Sequence, residues 1–261
     1  MPGMRLKIVA DYEELGREAA RLVARQILLK EDSVLGLPTG ETPIGMYREL
    51  VRMSREGLLN FSKVITFNLD EYVSLEPSHP QSFHHYMQVH LFGHLAIPPE
   101  QIHIPDGTAA DLEEECQRYE EEIARHGGID LLVLGLGLNG HIGFNEPGSD
   151  WGTMTRLVVL SEETRRREAG RFGGLDLVPT QAITMGIKTI MRARRLLLLA
   201  SGEEKAGIVR EVLQGPIVKE VPASILQLHP DATMILDAAA ASKLNLCRVG
   251  GASAGRPRTP G

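Results

Sequence analysis

Short apolar runs alternate along the chain with longer stretches in which apolar residues recur at helical spacing. An uninterrupted apolar run bounded by turn residues is typical of a strand covered on both faces, as in a parallel sheet. The apolar runs predict strands at residues 6–9, 34–37, 64–67, 131–134, 156–160, 182–187, 195–200 and 233–236. Strands and helices alternate, which predicts an α/β fold of Rossmann-like shape: a doubly wound, mostly parallel sheet with helices on both faces.

The helical periodicity is clearest in residues 12–29, and further helices are predicted after Thr42, at 82–95, at 110–126, after Ser161 and after Ser201. Thr42 is expected to cap its helix, with Pro43 in the first turn, where a missing N–H costs nothing. Ser201 and Glu204 have the spacing of a capping box. Segment 110–126 carries six glutamates, which we expect to form a solvated face.

Length and composition favour one domain. A chain of 261 residues with 43% hydrophobic residues can bury a large core. The alternation continues without a linker or an internal repeat, so residues 1–248 are predicted to form a single domain. Residues 249–261 are rich in glycine, proline and small residues, which predicts a flexible tail.

Charge and cysteine content argue against several classes of protein. A net charge of -6 disfavours binding to nucleic acid. No apolar run approaches the roughly 18 residues of a membrane span, and the apolar stretch at the amino terminus is too short for a signal peptide. Cys116 and Cys247 lie far apart, which is typical of reduced thiols in a cytoplasmic protein. We therefore expect a cytoplasmic protein with no nucleic-acid or membrane partner.

The strand at 131–134 leads into a glycine-rich loop in which Gly135, Gly137 and Gly140 have the G-x-G-x-x-G spacing of dinucleotide-binding proteins. That fingerprint requires the third glycine to open a crossover helix. Three more glycines and Pro147 follow within the next dozen residues; in a helix they would cost about 1 kcal/mol per glycine and about 3 kcal/mol for the proline. We therefore predict a loop that carries His141 and no nicotinamide cofactor.

Polar residues concentrate at four junctions that follow strands: 39–42, 70–72, 139–146 and 201–205. The carboxyl ends of parallel strands share one edge, where open α/β sheets bind ligands, so these junctions are expected to line one pocket. Turn 39–42 suits a phosphate, although an ordinary βα turn explains it as well. A partly desolvated Asp70 can act as a base, whereas Asp70 or Glu71 can equally cap the next turn. Lys205 favours an anionic ligand, with a merely exposed lysine as the alternative.

The predicted helix 82–95 carries four histidines, and His90 and His94 have the i, i+4 spacing that can bind a metal. No glutamate follows His90 as in H-E-x-x-H, and no third ligand is evident nearby. Partly exposed helix histidines are the favoured interpretation. No metal and no other cofactor are predicted.

Four motifs together carry a family resemblance. The segments GLPTGETPIGMY at 36–47, FNLDEY at 67–72, GLNGHIGFNEPGS at 137–149 and LQLHP at 226–230 closely resemble the glucosamine-6-phosphate deaminase family. The similarity runs from about Leu6 to Leu244. It implies conversion of D-glucosamine 6-phosphate and water into D-fructose 6-phosphate and ammonium, without a cofactor. The implied partner is therefore a small amino sugar phosphate.

By position, the family's proton-transfer base falls on Asp70, its ring-opening histidine on His141 and the supporting carboxylate on Glu146. The resemblance assigns substrate and phosphate contacts to Thr39, Gly40, Glu41, Thr42, Glu71, Arg171 and Lys205. Asn139 joins the catalytic set, although some members have aspartate there, so the histidine loses one of two flanking carboxylates. Glu41 replaces a small residue, so its side chain must point away from the anion or weaken binding.

Two alternatives stay open. A 6-phosphogluconolactonase is similar in fold and binds a sugar phosphate, but it does not need a carboxylate that deprotonates carbon. A sugar-phosphate sensor without catalysis would not need Asp70, His141 and Glu146 together. Some relatives are regulated by an N-acetylated sugar phosphate through a basic residue at the position of Val158. Because this chain lacks that basic residue, we expect non-sigmoidal kinetics. The oligomeric state is left open, a homo-oligomer included.

Overall fold

The computed structural model describes residues 4–245. Its strands are β1 (Arg5–Val9), β2 (Val34–Leu37), β3 (Ile65–Asn68), β4 (Asp70–Tyr72), β5 (Ile102–His103), β6 (Leu131–Gly135), β7 (Arg156–Val159), β8 (Gln181–Thr184), β9 (Leu196–Ala200) and β10 (Ala232–Asp237). Seven of them form a sheet of order β1-β10-β9-β6-β2-β3-β5. All neighbours in this sheet pair in parallel.

The helices are α1 (Tyr12–Leu29), α2 (Ile44–Arg55), α3 (Phe83–His90), α4 (Leu112–Arg125), α5 (Glu162–Phe172), α6 (Ile187–Met191) and α7 (Ala206–Gln214). Short 3-10 helices occupy Phe92–His94, Pro99–Gln101, Leu175–Leu177, Glu203–Lys205 and Pro222–Leu228. The predicted helix at 12–29 has the observed bounds of α1. Its first turn is fixed because the Asp11 side chain accepts a hydrogen bond from the Glu14 amide at 2.8 Å.

The central strands are buried on both faces. Leu132 and Leu134 of β6 pack into a core with α4 and α7, whereas Leu131 and Val133 pack into a second core with α1 and α2. Alternate side chains of β9 divide between the same two cores. Because successive residues of a strand point to opposite faces, helices must cover the sheet on both sides. The prediction of a doubly wound parallel sheet is confirmed.

Three short strands lie outside this sheet. Strands β4, β8 and β7 form a separate sheet in that order, and both of its pairings are antiparallel. The expectation that β7 and β8 continue the parallel alternation is wrong. A single residue, Leu69, separates β3 from β4, so the chain passes from one sheet to the other at the carboxyl end of β3.

Two predicted helix caps are not formed. Helix α2 begins after Pro43, and neither Pro43 nor Thr42 caps it with a side chain. The Ser201 hydroxyl donates to the Asp237 carboxylate, and within the described chain no amide of the following turn donates to a capping side chain. The chain there forms a 3-10 helix first, with Gly202 at its start. The Asp237 carboxylate of β10 accepts the Gly202 amide.

Helix α4 forms where it was predicted, but its glutamates are not all exposed to solvent. Glu113, Glu114 and Glu121 are exposed, but Glu115 is buried and accepts a hydrogen bond from the Asp106 amide at 2.9 Å. Glu120 accepts hydrogen bonds from Thr155 and Thr189. The glutamates therefore do not form one solvated face, because two of them connect α4 to neighbouring segments.

Residues 4–245 contain no helix that combines the length and the apolar character needed to cross a membrane. The predicted flexible tail at 249–261 lies outside the described residues. The same holds for Cys247 and for the last residues of the predicted domain, 246–248. Cys116, on α4, is a buried free thiol.

Candidate active site

A large cavity lies at the carboxyl edge of the parallel sheet. Its volume is about 980 Å³. The segments that follow β2, β3, β6 and β9 all contribute to its wall, together with α5. Among the predicted site residues, those that line it are Thr39, Gly40, Glu41, Thr42, Asp70, His141, Arg171 and Lys205. Residues separated by more than 160 positions thus meet at one edge, as the sequence predicted.

The turn at 39–42 presents free amide groups at the start of α2. The N–H groups of Gly40, Glu41 and Thr42 donate to no other residue in the range 4–245. The turn is held from outside, because the Tyr86 hydroxyl donates to the Gly40 carbonyl at 2.5 Å and the Tyr12 hydroxyl donates to the Glu41 carbonyl at 3.0 Å. Gly40 has a φ of 97°, which a residue with a side chain rarely adopts. Free amides at a helix start suit a phosphate.

Basic side chains surround this turn. The Lys205 ammonium is half-buried and donates to the Leu136 carbonyl at 2.7 Å. Burial lowers the pKa of Lys205, although the charges of Glu204 and Glu41 oppose the shift. Arg171 reaches the cavity from α5 and pairs with Glu168 at 3.1 Å. The sequence analysis missed Arg48 and Arg167, which also line the cavity.

Glu41 does not turn away from the site completely. Its side chain is exposed at the cavity wall, and its charge acts on Lys205. Within residues 4–245, its carboxylate has no ion-pair or hydrogen-bond partner. An anion bound in the cavity would therefore be repelled by the Glu41 carboxylate as well as attracted by the free amides.

Asp70 is the buried carboxylate of the cavity. It is 7% exposed and lies on β4, opposite Thr184 of β8. Burial, and next the charge of Glu71, raise its pKa to about 8. No side chain or amide in the part of the chain that the structure describes hydrogen-bonds to its carboxylate. Such a group can take up and release a proton near neutral pH.

The loop after β6 fixes the ring of His141. A methyl group on Gly137 would lie 2.4 Å from ring atoms of His141, so only glycine leaves room for the ring. The Nδ1 atom of His141 lies 2.7 Å from the Oδ1 atom of Asn139, and the Nδ2 atom of Asn139 donates to Glu146 at 2.8 Å. A carboxylate can only accept, which orients the amide and makes its oxygen the partner of His141. The ring therefore carries its proton on Nδ1, and Nε2 is free to act as a base.

Glu146 lies within ion-pair distance of His141, and Asn139 also connects the two side chains. The nearest carboxylate oxygen lies 3.7 Å from the Nδ1 atom. Burial acts to raise the pKa of Glu146, but nearby His141 and the Thr164 hydrogen bond outweigh it, so the pKa falls to about 2. Thr164 belongs to α5 and donates to Glu146 at 2.5 Å.

Glu71 is not placed for substrate binding. Its side chain is 1% exposed and does not line the cavity. Its carboxylate accepts from the Phe83 and His84 amides at 3.0 Å each and lies 2.8 Å from the His84 ring. It therefore caps the start of α3, which is the alternative role that the sequence left open for an acidic residue here.

The fold and the cavity together define a Rossmann-like α/β protein in which a turn with free amides, a buried carboxylate and a histidine share the carboxyl edge of the sheet. The chain belongs to the family of glucosamine-6-phosphate isomerases and 6-phosphogluconolactonases, because the model of that family matches residues 10–235. The family resemblance found in the sequence is thereby confirmed.

Individual relatives divide between the two activities of the family. The chain is 54% identical to the glucosamine-6-phosphate deaminase of Halothermothrix orenii over 92% of its own length and 100% of the relative. It is 46% identical to a structure described as a monomeric glucosamine-6-phosphate deaminase, with a TM-score of 0.90 over 92% of this chain and 100% of the other. The 6-phosphogluconolactonase of Trypanosoma brucei has a TM-score of 0.75 and 21% identity over 92% of this chain and 98% of its own, which shows the fold alone.

Proposed function

We propose that this protein converts D-glucosamine 6-phosphate and water into D-fructose 6-phosphate and ammonium. The observation that supports it most directly is the single cavity in which Asp70 and His141 lie beside the anion-binding turn and Lys205. The deaminases at about half identity support the same reaction. We assign the protein to the hydrolases that cleave C–N bonds, and we propose that it needs no cofactor.

The first task of the site is to hold the phosphate. The amides of Gly40, Glu41 and Thr42 and the ammonium of Lys205 are the anchoring groups, and Arg171 closes the site from α5. Anchoring one end of the sugar fixes the distance between its reacting carbons and Asp70. A misplacement of about 1 Å can cost a hundredfold in rate, so the anchor contributes to catalysis as well as to affinity.

The second task is to open the sugar ring. A proton must leave the hydroxyl on C1 and another must reach the ring oxygen. The free Nε2 atom of His141 can accept the first proton and deliver it to the ring oxygen. The Asn139 amide holds the ring, and Glu146 holds the amide. The ionised Glu146 also stabilises the transient imidazolium.

The third task is to move a proton between carbons. The Asp70 carboxylate removes the proton from C2 of the open-chain aldehyde, and one proton of the substrate's ammonium group passes to the C1 oxygen, so the enol that forms carries a neutral amino group on C2. Asp70 returns the proton to C1, which leaves a protonated imine at C2. Water adds to that imine, the C–N bond breaks, and the products are the C2 ketone and ammonium. No electron is gained or lost overall, so the chemistry requires no redox partner.

The decisive experiment compares two substrates with one purified protein. With glucosamine 6-phosphate we expect equal amounts of ammonium and fructose 6-phosphate, and with 6-phosphogluconolactone we expect no hydrolysis above the uncatalysed rate. Lactone hydrolysis without ammonium release would overturn the proposal in favour of the lactonase alternative. Binding of the amino sugar without turnover would favour the sensor.

Two further proposals concern allosteric regulation and the oligomeric state. Val158 lies on β7 in the antiparallel sheet and offers no charge to an anionic activator. We propose hyperbolic kinetics that N-acetylglucosamine 6-phosphate does not change. We propose that a monomer is sufficient for activity, because the neighbour of 46% identity is described as monomeric. The cytoplasmic location stays a prediction.

A further inference from the structure

A cluster of metal-ligating side chains lies outside the candidate active site. His103 is on β5, Glu122 is in the last turn of α4, and His126 directly follows that helix. One ligand atom from each residue can be chosen so that all three lie within 4.8 Å of one another. None of the three residues lines the catalytic cavity.

The His103 ring has a fixed orientation and an unused nitrogen. It stacks on Phe67 with 4.4 Å between the ring centres, and its centre lies 5.5 Å from that of His126. The Tyr119 hydroxyl donates to the Asn68 carbonyl at 2.7 Å, and its oxygen also lies 3.1 Å from the His103 carbonyl. The Nε2 atom of His103 is buried and has no hydrogen-bond partner in the described part of the chain. Buried polar atoms are usually paired, so this nitrogen is suited to a ligand.

Glu122 and His126 also lie close enough together to bind one ion. The Nε2 atom of His126 lies 3.2 Å from the Oε1 atom of Glu122. Arg125 pairs with the other oxygen of Glu122, Oε2, so Oε1 is not consumed by that ion pair. Arg118, the nearby cation on the same helix, is paired with Glu115. The positive charges around the cluster are therefore at least partly neutralised.

We propose that His103, Glu122 and His126 bind a divalent transition-metal ion, with Zn²⁺ as the representative. Zinc is commonly held by imidazole nitrogens and a carboxylate oxygen, with water as the fourth ligand. Bonds of about 2.0–2.1 Å place tetrahedral ligands about 3.4 Å apart. The pair formed by Glu122 and His126 already has nearly that spacing, so only the approach of His103 must tighten.

The site has an entry path and a structural consequence. The side chains of His126 and Glu122 are 27% and 15% exposed, so solvent can supply the ion and its water ligand. Within residues 4–245, strand β5 is two residues long and pairs only with β3 at the edge of the sheet. A metal would tie this short strand to the end of α4. The inference does not depend on the proposed reaction, because the site is built from other residues.

The test uses the full-length protein, stripped of metal and titrated with Zn²⁺ in competition with a chromophoric chelator. We expect one zinc ion bound per chain. The variants His103→Gln and His126→Gln should each weaken binding about a hundredfold or more, because each removes one of three protein ligands. Glu122→Gln keeps the shape of the side chain and should also weaken binding. Circular dichroism checks that each variant is folded.

The matched control is the double variant His90→Gln with His94→Gln, which removes a histidine pair with the four-residue spacing of Glu122 and His126. It should bind zinc as the original protein does. Saturating zinc should raise the Tm of the original protein and of this control but not that of His103→Gln. An anomalous-scattering peak at the zinc edge should lie between His103, Glu122 and His126. Unchanged affinity in the cluster variants, no zinc binding, or a peak only at His141 would each overturn the proposal.

Discussion

In the proposed reaction, Asp70 must be buried enough to hold a proton near neutral pH and still lose it to act as a base. Its raised pKa of about 8 results first from burial and then from the charge of Glu71. A neighbouring carboxylate that does not line the cavity therefore acts on the pKa of Asp70 through its charge. The substrate's own ammonium group would favour the ionised form of Asp70 and thus prepare the base when it binds.

Replacing Asp70 by asparagine tests the role of this carboxylate. Asp70→Asn keeps the shape of the side chain but cannot take a proton from C2, so we expect kcat to fall by about 10²- to 10⁴-fold, the range for general bases. Ammonium release measures the loss. Calorimetric titration with glucose 6-phosphate, which lacks the amino group, should give a nearly unchanged Kd. Turnover close to that of the original protein would remove Asp70 from its assigned role.

The same substitution should stabilise the fold in a pH-dependent way. Below about pH 4, Asp70 is protonated in both the folded and the unfolded chain. Between about pH 4 and 8 only the unfolded chain ionises, so the stability of the original protein falls as pH rises and levels off above the folded pKa of about 8. The asparagine variant has no such loss. We expect Asp70→Asn to be more stable at pH 8, by an amount on the order of a few kcal/mol at most, and nearly equal at pH 4.

Urea unfolding of the two proteins at pH 4, 6 and 8 measures that difference. Asp176→Asn removes one exposed carboxylate and controls for the change in net charge. A stability gain of the same size at every pH would show that Asp70 does not ionise differently in the folded chain. A stability gain that grows from pH 4 to pH 8 supports the view that burial of the Asp70 carboxylate, which the proposed reaction uses, lowers the stability of the fold.

Some residue roles could not be read from the sequence because they depend on side-chain contacts. The resemblance places Asn139 in the catalytic set, but only the structure shows that its amide connects His141 to Glu146. His103 and His126 lie too far apart in sequence to form a recognisable metal motif. They meet because β5 lies beside the end of α4, and sequence spacing does not show such packing.

At the scale of elements, helix α3 depends on a side chain that belongs to strand β4. Glu71 of β4 accepts two amides at the start of α3 and also raises the pKa of Asp70. Glu71→Gln can satisfy only one of these amides well with its single oxygen. We expect the free energy of unfolding to fall by about 1–3 kcal/mol, the cost of an unpaired buried donor.

Loss of the Glu71 charge should also shift catalysis. With less repulsion, Asp70 ionises at a lower pH, so the rise of kcat/KM with pH should move to lower pH. Chemical denaturation and a pH profile of kcat/KM give the two readouts. Glu76→Gln, an exposed site just beyond β4, is the matched control and should change neither. A lower stability with an unmoved pH profile would limit Glu71 to a structural role.

Most elements were predicted because their signals are local. The apolar runs of β2 and β9 and the periodicity of α1 depend only on burial, which hydrophobic patterning records directly. The antiparallel sheet was missed because β7 and β8 have the same apolar character as parallel strands, and pairing direction leaves no mark on a short run. Caps at Thr42 and Ser201 were wrong because a tertiary partner or a backbone turn replaced the local bond.

At the scale of the molecule, the site exists because four junctions share one sheet edge. Nothing in any single junction identifies a sugar phosphate, and the turn at 39–42 taken alone resembles many βα turns. Parallel pairing of β2, β3, β6 and β9 places their carboxyl ends together. This convergence could be predicted from the strand pattern. The contributions of Arg48 on α2 and Arg167 on α5 could not be, because no local signal separates them from surface charge.

Lys205, more than 160 positions from the phosphate turn, tests this convergence. Lys205→Met removes a half-buried charge from the anion site, so we expect KM for glucosamine 6-phosphate to rise by about 10- to 100-fold, as for a lost hydrogen bond to a charged group. The fold should not suffer greatly, because burial already disfavours this charge. Unphosphorylated glucosamine, at high concentration, should react equally slowly with both proteins. Lys219→Met, which breaks only an exposed pair with Asp150, is the control. An equal loss on both substrates would show that Lys205 acts on the loop at Leu136 and not on the phosphate.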